Sequence, residues 1–208
     1  MSEGEWLESI PSLMMDHVQQ VAPVSARRLR LLAVAYAQYL ETQPDYAAAK
    51  HVSHLGEAVV EGRQTHEFLT MDEQRGWGID GDWRIASFVL APDDRVDIQF
   101  RTAWWHSALS ATEAGLDGIE RTSHARSLIL CVIGNPFRPV AFDPRWRTAD
   151  VMGIARGIYE DRAFDRMPLL ADALMDAGCD EEQILSHCRT GGPHVRDCWV
   201  VDLVLGKE

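Results

Sequence analysis

Residues 148–177 read TADVMGIARGIYEDRAFDRMPLLADALMDA, followed by Gly178-Cys179-Asp180. Thr148 is an N-cap residue type, and the segment after it predicts a helix through Tyr159. Asp165 is the candidate cap of a second helix, with Pro168 in its first turn, where a missing N–H costs little. Phe164, Met167, Leu170, Ala171 and Leu174 recur every three or four residues, the apolar stripe of that helix. Gly178 then falls at the C′ position, which places Cys179 at C″, able to pack back on Leu174. Two capped helices in thirty residues make the fold class mainly α.

Working outward, Asp180 with Gln183 predicts a capping-box variant that opens a short helix to Cys188. Gly191-Gly192-Pro193 is a turn, and His194 to Leu205 reads as a last helix or, given Trp199-Val-Val, as a strand, with the helix preferred. Upstream, Gly134-Asn-Pro-Phe-Arg-Pro139 is a rigid connector, because two prolines fix φ and exclude helix. Helical spacing in Ile119, Leu128, Cys131 and Val132 precedes it. At the other end, Trp6, Leu7, Ile10, Leu13, Met14 and Val18 predict a short amphipathic start interrupted by Pro11. Ser25 caps a helix carrying Leu29, Leu32, Ala33, Tyr36 and Leu40, which Pro44 ends; Asp45 caps another through Ala58 and Val59. The stretch from Gly76 to Asp94 breaks the pattern: it is loop chemistry around an apolar run, Ile85 to Leu90, that fits a short strand pair or a buried helical turn. The expected organisation is a helical layer over 1–133 with an irregular insertion at about 76–97, and a helical subdomain over 134–208, together one compact bundle-like domain.

The block GNPFRPV at 134–140, ARGIYEDRAFDRMPLLADALMDA at 155–177, Gly178-Cys-Asp, His187-Cys-Arg and HVRDCWVVDLVLGK at 194–207 resembles a large paralogous family of bacterial proteins expanded in planctomycete genomes. The opening, with Glu5-Trp6-Leu7 and ARRLRLLA at 26–33, is similar to the same family over a looser match. The resemblance implies a mostly helical cytoplasmic protein. It implies no activity, since no catalytic residues are assigned in the family.

Composition bounds the function classes. The chain has 208 residues, 20 Lys plus Arg against 32 Asp plus Glu, and a net charge of −12. An acidic surface disfavours nucleic acid, whose binding needs clustered cations that displace counterions. No stretch approaches the ~18 uncharged apolar residues of a membrane span. The N-terminus has no apolar signal region, so the expected compartment is a reducing cytoplasm in which Cys131, Cys179, Cys188 and Cys198 are thiols.

Cys179, His187, Cys188, His194 and Cys198 place five soft ligands within 20 residues. Zinc takes four tetrahedral nitrogen or sulfur ligands. The candidate set is Cys179, Cys188, His194 and Cys198, with His194 and Cys198 at i, i+4 on one helical face. The competing reading is core packing, because a free cysteine behaves as a small buried hydrophobe. A second candidate is His51 and His54 at i, i+3, with His66 or Glu67 as a third ligand, the arrangement a metal-dependent hydrolase would use. Asp80-Gly-Asp82 and Asp93-Asp94 read as turns more readily than as a calcium loop. No nucleophile elbow, phosphate loop or dinucleotide motif is present. Trp104 and Trp105 are adjacent, and neighbours on a helix lie ~100° apart. One of the two should meet a partner surface, and a protein partner or self-association is the expected contact. The sequence therefore reads as a non-enzymatic interaction or scaffold module, zinc-stabilised through its C-terminal cysteines, with a metal-dependent hydrolase as the alternative.

Overall fold

The computed structural model describes residues 1–21, 24–42, 58 and 116–207. Of these, 71% are helical, in eight α-helices, and none lies in a strand. The chain divides into two compact units, Met1–Ile129 and Leu130–Glu208.

In the first unit, α1 (Glu3–Glu8) opens on a capping box: the Ser2 hydroxyl accepts from the Glu5 amide, and the Glu5 carboxylate accepts from the Ser2 amide. That carboxylate is held below its usual range by the bonds from Ser2. α2 (Pro11–Val21) begins at Pro11, so the proline starts a helix, as its fixed φ allows, and does not merely interrupt one. The Trp6 indole N–H donates to the Met14 carbonyl at 3.2 Å, tying α1 to α2 within the buried layer. α3 (Ala26–Leu40) is capped by Ser25 as the sequence indicates. It buries more than a stripe: Leu31, Val34 and Ala35 are as enclosed as Leu29, Leu32 and Tyr36, so α3 is surrounded on all sides. α4 (Leu116–Ile133) begins in this unit, where Ala125, Leu128 and Ile129 are buried and Ile119 is 68% exposed, and its last turn belongs to the second.

In the second unit, Gly134 ends α4 with φ +75, and the Trp199 indole lies so close that a β-carbon there would sit 3.3 Å from it. The connector follows, turned by the Asn135 side chain, which accepts from the Phe137 amide. Thr148 caps α5 (Ala149–Asp161), and Val151, Ala155 and Ile158 form its inner face. Asp165 does not cap the next helix. It lies in a 3₁₀ turn, Phe164–Arg166, and α6 (Met167–Asp176) continues directly with Pro168 in its first turn. α6 buries Met167, Leu170, Ala171 and Leu174 against α5 and α7 (Glu182–Arg189). The cap of α7 is Glu181, one residue later than the Asp180 expected, because its carboxylate reaches the Gln183 amide.

The last helix is also shorter than its spacing suggests. α8 is Trp199–Leu205, and His194 to Cys198 form a turn. Pro193 precedes the turn, and Asp197 adopts φ +75, which a helix cannot include. Arg147 holds the far end of α8: its Nε donates to the Val204 carbonyl at 2.9 Å and its Nη2 to Leu203 at 3.0 Å. No described helix is long and apolar enough to cross a membrane.

Candidate metal centre

Four side chains of the second unit converge: Cys131, His187, His194 and Cys198. Each offers one donor atom, and all four donors lie within 4.8 Å of one another. Three segments bring them there. Cys131 comes from the last turn of α4, His187 from α7, and His194 and Cys198 from the turn before α8. That turn is closed by the Cys198 amide donating to the Val195 carbonyl at 3.0 Å, with Asp197 left-handed between them. Aspartate tolerates this conformation better than most non-glycine residues. The result is a five-residue loop with a ligand at each end.

The imidazoles are already oriented. His194 Nε2 lies 3.1 Å from the Thr190 carbonyl at the end of α7. A carbonyl only accepts, so Nε2 carries a proton, and Nδ1 faces the Cys131 sulfur, 4.0 Å away. Binding the outer nitrogen to a backbone carbonyl is how ligating histidines are commonly fixed. His187 Nε2 lies 3.2 Å from the Cys198 sulfur. The two rings meet edge to face, 5.0 Å between centroids, and Trp199 flanks His187 at 5.4 Å.

Burial and close neighbours shift the ionisable groups of the cluster. Cys131 is 2% exposed and Cys198 fully enclosed. Cys131 is pushed well above the ordinary thiol range by its hydrogen bond to Cys198 and by burial, against an opposing amide bond from Val195. Burial also raises Cys198, but the Cys131 thiol and the two imidazoles outweigh it and hold Cys198 well below that range. The two thiols are thus pushed in opposite directions. His194 loses from burial but gains more from the Cys198 sulfur and the Thr190 carbonyl, so its pKa is raised.

Tetrahedral zinc with sulfur at ~2.3 Å and nitrogen at ~2.0 Å needs donors about 3.3–3.8 Å apart. The observed spacing reaches this by side-chain shifts on the order of 1 Å. Two sulfurs and two imidazole nitrogens in this arrangement can hold a metal ion. A comparison with family models, curated proteins and solved structures finds no match for this chain.

Of the four ligands the spacing suggests, the structure brings His194 and Cys198 together and places Cys179 and Cys188 elsewhere. Cys179 packs in the core after α6, where its amide donates to the Leu174 carbonyl at 2.9 Å. Cys188 is fully buried on α7, one residue from His187 and so turned ~100° toward the core. Burial raises both thiols above their ordinary range. His187 was visible among the five soft residues. Cys131 was not, since 63 residues separate it from His194. Its one sequence signal is a cysteine at the end of a helix just before the Gly134 turn. His51, His54, His66, Glu67, Asp80, Asp82, Asp93, Asp94, Trp104 and Trp105 lie outside the described residues.

Proposed function

We propose that the second unit is a zinc-stabilised, non-enzymatic interaction module. The observation that carries the reading is the donor set, two sulfurs and two nitrogens from three segments, with both sulfurs buried. Two thiolates and two imidazoles are a typical structural zinc set and suit hard oxygen-seeking cations poorly. Four protein ligands fill the tetrahedral shell and leave no position for a water or a substrate, unlike the three-ligand centres of zinc hydrolases. Such a centre supplies folding energy by joining α4, α7 and α8, and a small unit gains most from that contribution.

The reading extends to setting and partners. Four free thiols, two of them ligands, suit a reducing cytoplasm. The net charge of −12 favours a protein partner or self-association over nucleic acid. Membership in the planctomycete-expanded family is part of the proposal, and three of the four ligands, His187, His194 and Cys198, fall in the block that resembles it. The test is elemental analysis of protein purified without a histidine tag, alongside a pull-down from native cytoplasm. Near-stoichiometric zinc, lost in Cys131→Ser and His194→Ala but kept in Cys179→Ala, is the expected result. A metal-free protein whose melting ignores chelators would reduce the cluster to packing.

A further inference from the structure

Cys131 and Cys198 supply the two sulfurs of the donor set, within 4.8 Å of each other, and are its only donors that become anionic when they bind a metal. We infer that the centre is a redox-gated one: a hydroperoxide oxidises Cys131 and Cys198 to a disulfide and the metal is released. The inference rests on the zinc reading above and names how that same site is regulated.

The step balances without further reactants. One thiolate attacks the peroxide O–O bond, giving a sulfenic acid and a hydroxide or alkoxide. The second thiolate attacks that sulfur, the S–S bond forms, and the sulfenic oxygen leaves as hydroxide. Two electrons pass from the two sulfurs to the two peroxide oxygens. Both thiolates are consumed in one event, and that is the consequence specific to this ligand set. Before oxidation, two negative sulfurs neutralise a divalent ion. Afterwards a neutral disulfide and two neutral imidazoles face the same ion in a buried site, where uncompensated charge is unfavourable. A centre with three or four thiolates would keep some anionic ligands after the same event.

The donor set favours one pairing. Its two sulfurs lie within 4.8 Å of each other and would have to close to the ~2.05 Å of a disulfide. Cys179 and Cys188 are outside the donor set and packed in the core. Both sulfurs are enclosed, but His187 and His194, which face them, are only half-buried, so the oxidant would enter on the imidazole side. The disulfide would tie the end of α4 to the start of α8, two of the three segments the metal joins, so losing the ion this way should destabilise the unit less than stripping it with a chelator.

The experiment uses the full chain, reduced and loaded with zinc. Hydrogen peroxide is added while a chromogenic chelator reads free zinc, and non-reducing peptide mapping reads cysteine pairing. The expected result is release of about one zinc per chain, in step with a Cys131–Cys198 crosslink, and zinc uptake regained after a thiol reductant. Cys179→Ala and Cys188→Ala should behave as the wild type. Zinc retained while other thiols oxidise overturns the exchange and leaves the zinc reading intact. Zinc lost with a different pairing, or with irreversible overoxidation at both positions, overturns it as well. A reduced chain that takes up no zinc removes the underlying reading, and with it the exchange.

Discussion

Two turns in the second unit share a local plan and reach different ends. In each, a left-handed residue is followed at once by a buried cysteine: Gly178 at φ +86 before Cys179, and Asp197 at φ +75 before Cys198. The first is a Schellman motif. The Cys179 amide bonds back to Leu174 and the Gly178 amide to Met175, both at 2.9 Å, and the thiol joins the core. The second is a tight turn whose cysteine meets a thiol and two imidazoles. The backbone plan buries a cysteine, and the neighbours that arrive from elsewhere decide whether it packs or binds.

Removing the metal or a ligand from the second turn should have the largest effect. A structural zinc contributes its binding free energy to folding, and even ~4 kcal/mol lost from a chain of this size lowers the melting temperature by roughly 10 °C. Cys198→Ser and strong chelation should each produce such a drop in a thermal melt followed by circular dichroism, and should not add to one another. If they add, the cysteine stabilises by packing. The first turn should respond next. A β-carbon at Gly178 meets nothing within 4 Å, so Gly178→Ala isolates backbone strain, about 1–2 kcal/mol, with zinc content unchanged. Cys188→Ala should cost about 1 kcal/mol by leaving a small void beside Leu185, again with full zinc content. Loss of zinc in that variant would move Cys188 into the ligand set.

The smallest effect separates the two units by pH. His124 stacks on Tyr39 at 3.9 Å, and burial lowers its pKa below 6.5, with Glu120 opposing. The folded first unit therefore binds fewer protons than the unfolded chain, and its stability falls as the pH drops below about 6.5. His194 is shifted the other way. In metal-free protein its contribution is fully present below 6.5 and fades as the pH rises through its raised value. His124→Gln should flatten the acid slope, and His194→Gln the opposite one. Two slopes of the same sign would contradict the contrast.

Much of the helical framework was legible because its signals are local. Ser25, Thr148 and Gly178 act on groups three to five residues away, so a cap or a Schellman turn is complete within one window of sequence. Where two caps compete over one or two positions, the sequence misplaces the boundary, as at Asp180 against Glu181 and at Asp165 before α6. The candidate centre was half legible for the same reason. His194 and Cys198 sit four apart, which imitates a helical face, yet a turn with one left-handed residue brings them together. The ligand that completes the set comes from α4, and periodicity carries no information about a contact 63 residues long.

Trp199 gives the centre its own optical reporter. Its indole lies between the Gly134 backbone and the ring of His187, 5.4 Å from an imidazole that a metal would hold in place. Indole emission responds to the charge and freedom of a neighbouring ring, so loading and stripping the ion should change the fluorescence of one tryptophan in a chain that has seven. Trp199→Phe should silence that change and leave the rest of the emission as it was, turning occupancy of the site into a signal readable in real time.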